Sequence, residues 1–186
     1  ACAFGYRDSV FKRHLLGKAV ITRVRLRCPK PWQPVLGYLD LERKMAETGN
    51  RQPDARTVFD WVCSIRRAKL PDPTVLGNAG SFFNNPVLPE AQAADLKAQY
   101  PELPVFPSGQ VGYSKFSAAW LIEQAGWKGY RQGDAGIAAQ HALVLVNHGQ
   151  ASGQELLQVA RQVVASVKDR FGITLEPEPR ILGADF

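Results

Sequence analysis

The sequence predicts an α+β fold, an antiparallel sheet combined with helices rather than a parallel α/β sheet. Three observations carry this. A segment of strict two-residue alternation, Ala19 to Cys28, stands far from the clearest amphipathic helix, Ser152 to Phe171. The elements run strand, helix, a mixed stretch and then strand, without the regular βαβ rhythm of a parallel sheet. No Gly-x-Gly-x-x-Gly opens a helix after a strand, so a dinucleotide-binding crossover has no support.

In chain order, Val20, Val24, Leu26 and Cys28 share one face with Thr22, and Arg23, Arg25 and Arg27 share the other. That pattern is a half-buried strand with a wet face, and "PKPWQP" breaks it. "PDARTVFDWVCSIRRAKLPDP" reads as a helix with Asp54 as N-cap and an apolar stripe of Val58, Val62 and Ile65. Arg66, Arg67 and Lys69 suit the dipole of its last turn, and Pro71 and Pro73 forbid continuation. This Pro-Asp-Pro is the candidate domain boundary. "GNAGS" reads as a loop, "LPEAQAADLKAQY" as a short helix and "PELPVFPSGQVG" as a loop. "SKFSAAWLIEQAGWKG" reads as a helix with Ser114 at its N-cap and Gly126 near its end. "HALVLVN" is a short buried strand. "SGQELLQVARQVVASVKDRF" opens on a capping box, Ser152 with Glu155, and buries Leu156, Val159, Ala160, Val163 and Val167. "ITLEPEPRIL" closes the chain as strand.

The chain has 186 residues, 45% of them hydrophobic and 22% charged, ordinary values for a globular domain with a real core. No apolar run approaches the ~20 residues of a membrane span. No basic and apolar leader opens the chain. Three widely spaced cysteines form no Cys-x-x-Cys pair, which argues against a disulfide framework and a metal site. Reduced core thiols in a cytosolic protein are the simpler reading. A net charge of +6 favours an anionic partner, either nucleic acid or a phosphorylated small molecule.

"GNAGSFFNNP", Gly77 to Pro86, presents one hydroxyl, Ser81, between flexible backbone and two phenylalanines. Glycine permits close backbone approach to a ligand, so the loop can aim Ser81 into a cleft. The simpler alternative is a turn serine bonding its own backbone. The spacing is not that of a nucleophile elbow, and neither His14, His141 nor His148 can be placed beside Ser81 from spacing alone. "GYRDSVFK" sets Tyr6 beside Arg7. In "LEPEPR", Glu176, Glu178 and Arg180 share a face at period two, either as a surface ion pair or as the lining of an anion site.

Taken together, "YRDSVFK", "AKLPDP", "GNAGSFFNNP", "ALVLVN" and "LEPEPR" resemble, in this order, the flavoenzyme family of UDP-N-acetylenolpyruvoylglucosamine reductases, which form UDP-N-acetylmuramic acid for bacterial peptidoglycan. The resemblance spans nearly the whole chain. It implies a cytoplasmic enzyme using FAD and NADPH, and a monomer that engages a UDP-sugar, neither nucleic acid nor membrane, and no metal. It implies Ser81 as proton donor, with Arg7 and Glu178 as the other catalytic pair stabilising an enol intermediate. Tyr38, Lys69, Asn85, Lys115, Lys128 and His141 would hold the substrate, with Lys115 and Lys128 near its diphosphate. Arg66, Arg180 and Tyr6 would lie by the flavin. A carboxyl such as Glu178 would help if its pocket kept it protonated, so that it donates a hydrogen bond.

The resemblance implies three segments. Residues 1–70 would close a partial, antiparallel flavin-binding domain, 71–171 would form a smaller α+β substrate domain, and 172–186 would return to the flavin domain. Most flavin contacts of the family precede "YRDSVFK", so the chain is expected to bind FAD poorly alone. A loop tyrosine that covers the diphosphate in one subtype is matched here by Phe106, with Tyr113 as its possible substitute. A module that grips the UDP-sugar without turnover is the alternative. A nucleic-acid binder is the third reading, disfavoured by dispersed basic residues and the lack of an aromatic and basic platform.

Overall fold

A computed structural model describes residues 2–28 and 30–186, so Pro29 of the expected strand break lies outside the described residues. Among the described residues, a 3-10 turn at Val10–Lys12 is followed by twelve helices and strands: α1 (Leu39–Thr48), α2 (Ala55–Lys69), β1 (Gly77–Ser81), β2 (Val87–Pro89), α3 (Glu90–Gln99), β3 (Val105–Pro107), β4 (Tyr113–Phe116), α4 (Ala118–Gln124), β5 (Arg131–Gln132), β6 (Ala135–Ile137), β7 (Val144–Asn147) and α5 (Gly153–Phe171). The strands form two antiparallel sheets, ordered β1-β7-β6-β5 and β2-β4-β3. The fold is therefore α+β.

The core explains the sequence pattern. β7 is buried on both faces, which is why it reads as an unbroken apolar run. Leu143 and Leu145 join the main core with Val159, Val163 and Val167 of α5, whereas Val144 and Val146 pack on the reverse face with Ala138, Leu70 and Leu76. The Ser152 hydroxyl accepts from the Glu155 amide, and the Glu155 carboxylate accepts from the Ser152 amide, so α5 begins on the expected capping box. Asp54 likewise caps α2 by accepting from the Thr57 amide at 2.7 Å.

Several expectations need correction. Residues 19–28 form no strand: Val20, Val24 and Leu26 are 87%, 73% and 81% exposed. Alternation marks a strand only where a neighbour supplies the ladder, and none pairs with this segment among the described residues. "GNAGS" is strand β1 rather than loop. Ser114 is not an N-cap; it lies in β4, the centre of its sheet, and Ser117 caps α4 by accepting from the Trp120 amide. Val105–Pro107, read as loop, is β3. "ITLEPEPRIL" makes one bridge, Phe83 to Pro177, because Pro177 and Pro179 lack the amide donors of a ladder.

Candidate active site

Ser81 owes its position to a bulge. β1 pairs with β7 as Gly77 to Asn147 and Asn78 to Val146, and the register then shifts before Ser81 meets Val144. Gly80, at φ +75°, absorbs the extra residue. Such a bulge bends the strand and re-aims the next side chain. Beyond it, the Phe82 amide donates to the Leu143 carbonyl at 2.7 Å, and Phe82 and Phe83 sink into the core edge to face, 5.0 Å apart. Both aromatics therefore anchor the backbone on which Ser81 sits.

The segment after α5 is stitched to this loop. The Glu178 amide donates to the Phe82 carbonyl at 2.7 Å, and the Asn84 amide to the Glu176 carbonyl at 2.9 Å. Arg7 arrives from the other end of the chain on a Gly5–Asp8 turn, with its own φ at +52°. A non-glycine residue held there costs ~1–2 kcal/mol, which the surrounding contacts must offset. Arg7 Nε lies 2.8 Å from Glu178 Oε1. Three distant sequence positions, 7, 81 and 178, are thus gathered at one end of β1. Glu178 accepts from Arg7 in this arrangement. The Arg7 side chain is 49% exposed.

Two groups of polar residues flank this point. Tyr6, Arg7, Asn84, Asn85 and Glu176 line a cleft of about 360 Å³. There the Asn85 amide donates to the Tyr6 hydroxyl at 3.1 Å, and Lys115 Nζ sits 4.5 Å from the Tyr6 ring centre. Asn85 Oδ1 accepts from the Ala118 amide at 2.9 Å, so this side chain fastens α4 as well. Phe106 stands opposite Lys115 in the β3–β4 register, and Tyr113 lies two residues before it on β4, so all three share one sheet face.

The second group is Lys69, Lys128 and His141. The Val144 amide, opposite Ser81, donates back to the His141 carbonyl at 3.0 Å. Burial holds the His141 imidazole below its ordinary value, and the charges of Lys69 and Lys128 lower it further while Glu123 opposes them. Lys128 pairs with Glu123 at 2.8 Å and Lys69 with Asp40 at 2.6 Å. Tyr38 precedes α1, two residues before Asp40, and is 69% exposed. Arg66 and Arg67 line an open cleft of about 720 Å³ that reaches Gly80. Arg180 is exposed, two residues beyond Glu178, and no hydrogen bond or ion pair ties it to either group among the described residues. Asp40 was not singled out in the sequence; its partner lies 29 residues away, beyond any local pattern.

Fold and clefts together define an α+β domain of antiparallel sheets in which an arginine–glutamate pair is tied by a main-chain hydrogen bond to the residue after Ser81, beside a polar cleft lined by Tyr6, Arg7, Asn84, Asn85 and Glu176. Residues 72–182 match the family model described as UDP-N-acetylenolpyruvoylglucosamine reductase, C-terminal domain. The chain belongs to that reductase family. A UDP-N-acetylenolpyruvoylglucosamine reductase of Xanthomonas euvesicatoria pv. vesicatoria is 52% identical over 183 residues, 98% of this chain and 52% of the relative. The reductase of the same name from Xylella fastidiosa is 49% identical over 185 residues, 100% of this chain and 52% of the relative. The chain thus spans about half the length of the curated relatives it matches. A crystal structure of the Thermus caldophilus reductase aligns at TM-score 0.38 with 27% identity, over 75% of this chain and 33% of that one.

Proposed function

We propose that the chain is the portion of a peptidoglycan-precursor reductase that holds the UDP-sugar and supplies the groups acting on its enolpyruvyl unit. The whole protein would convert UDP-N-acetylglucosamine enolpyruvate to UDP-N-acetylmuramic acid with FAD and NADPH. The observation that carries this reading is the gathering of Arg7, Glu178 and the Ser81 strand end through Nε–Oε1 and main-chain contacts of 2.8 and 2.7 Å.

The residues fit an anionic flavin cofactor in one respect: Arg66 and Arg67 line an open cleft beside the Gly80 bulge, where a Cβ would meet no atom within 4 Å. Arg66 and Tyr6 would hold it, and Arg180 would reach it from the last segment. When bound, the flavin takes electrons from NADPH and supplies hydride to the enolpyruvyl double bond. Arg7 would stabilise the charge that builds toward the substrate carboxylate, an effect that grows as closure excludes water. Glu178 would hold Arg7 in place. Ser81 would give its proton to the carbon next to that carboxylate: the O–H bond breaks, the C–H bond forms, and the hydroxyl regains a proton from solvent. Lys69, Lys115, Lys128 and His141 would carry the sugar nucleotide, with Asn85 and Tyr38 at the rim. Phe106 and Tyr113, on the Lys115 face, would lie over the diphosphate.

The test is NADPH oxidation by the full-length protein. It should depend on the enolpyruvyl UDP-sugar and stop without it. Substrate-independent oxidation alone would overturn the reading. A second reading, a binding module without turnover, draws on the exposed apolar row Val20, Val24 and Leu26, which pairs with no strand among the described residues. It predicts that the 186-residue chain titrated with FAD shows no bound flavin absorbance yet still binds the UDP-sugar.

A further inference from the structure

We propose that Asp40 is a positioning residue: its carboxylate, on the first turn of α1, holds the Lys69 ammonium within the group that Lys69 forms with Lys128 and His141. The proposal rests on the reading of Lys69 as a substrate-holding cation, and deepens it.

The geometry is specific. Asp40 Oδ2 lies 2.6 Å from Lys69 Nζ, across two helices. Lys69 is the last residue of α2, where the helix dipole by itself draws an ammonium to the terminal carbonyls. Its side chain instead reaches over to α1. Competing partners are poorer: Arg43 Nη1 stands 4.0 Å from Asp40, and Lys44 is taken by Glu47 within α1 at 2.7 Å. A lysine carries ~2 kcal/mol of rotamer entropy, so an unanchored ammonium wanders. The Asp40 carboxylate, 2.6 Å from Nζ and reaching it from a second helix, supplies the anchor. Lys128, the other cation bearing on the His141 imidazole, has the same arrangement, with Glu123 as its anchor at 2.8 Å. Each lysine beside His141 is thus aimed by a partly exposed carboxylate before any anionic ligand arrives.

The test is an NMR titration of His141 in the 186-residue chain, its signal assigned by loss in His141→Gln. Wild type is compared with Asp40→Asn, Asp40→Glu, Lys69→Gln and the Asp40→Asn/Lys69→Gln pair. Removing a carboxylate acts through charge alone by moving a nearby imidazole further down. Removing an anchor acts the other way: Lys69 leaves, and His141 titrates nearer its ordinary 6.5. The expected result is an upward shift of similar size in Asp40→Asn and Lys69→Gln, no further shift in the pair, and recovery of at least half in Asp40→Glu. A downward or absent shift in Asp40→Asn overturns the proposal, as does an Asp40→Glu chain that behaves like Asp40→Asn. If Asp40→Asn fails to fold, Asp40→Ser takes its place: an upward shift that adding Lys69→Gln does not extend supports the proposal, and no shift overturns it. In the full-length enzyme, Asp40→Asn should raise KM for the UDP-sugar several-fold without slowing flavin reduction by NADPH, and an unchanged KM contradicts the proposal. Full-length protein with no substrate-dependent turnover at all would sink the reductase reading while leaving the titration to stand.

Discussion

Gly80→Ala isolates the backbone device that aims Ser81. Gly80 sits at φ +75°, and an added Cβ would find no atom within 4 Å, so neighbours contribute nothing to the penalty. What remains is the intrinsic cost of an L-residue in the left-handed region, ~1–2 kcal/mol. In a domain of this size 1 kcal/mol lowers Tm by about 2–4 °C, so Gly80→Ala should melt about 2–8 °C below wild type. Gly80→Asn should lose roughly half as much, because asparagine tolerates that region. The chain has one escape: it can flatten the bulge and slip register, which turns Ser81 to the other sheet face. That route keeps Tm but breaks the Phe82 to Leu143 hydrogen bond, so amide exchange at Phe82 reports it. Either route should slow turnover in the full-length enzyme. An alanine variant with wild-type Tm, a protected Phe82 amide and full turnover would refute the reasoning.

Other outcomes follow from the same structure. Phe83→Ala, at a side chain 1% exposed, should cost ~3–5 kcal/mol by chemical denaturation and loosen the 176–178 segment that bridges to it. Ser152→Ala removes the capping box of α5 and should cost ~1 kcal/mol in thermal unfolding. His141 is held below its ordinary 6.5, so the unfolded chain binds its proton more readily; stability should fall as pH drops below that value and hold above it. His141→Gln should flatten that part of the stability profile, and an unchanged slope would show that another group sets it.

Legibility in the sequence tracked how local each determinant is. α2 and α5 were readable because their caps, Asp54 and the Ser152–Glu155 box, lie within four residues of the hydrogen bonds they make. α1 was missed: its N-cap is Tyr38, which offers no side-chain cap, so nothing marks the start. β1 read as loop because Gly80, which creates its bulge, is also what a loop uses. Ser114 and Ser117 are equally good caps in sequence, and only the pairing of β4 with strands on both sides decides for Ser117. The arginine row at 23–27 looked like a strand face, yet a strand is a property of a pair. At the site, the residues carrying the resemblance were named, Arg7 and Glu178 among them as a pair, but the Asp40–Lys69 pairing depends on tertiary folding. So does the face shared by Phe106, Tyr113 and Lys115.

The account stands on Ser81 acting as the acid at a centre framed by Arg7 and Glu178. Its most direct test is stopped-flow kinetics of full-length Ser81→Ala. Flavin reduction by NADPH should keep its wild-type rate, and reoxidation by the enolpyruvyl substrate should slow by orders of magnitude. Reoxidation within a few fold of wild type would contradict it.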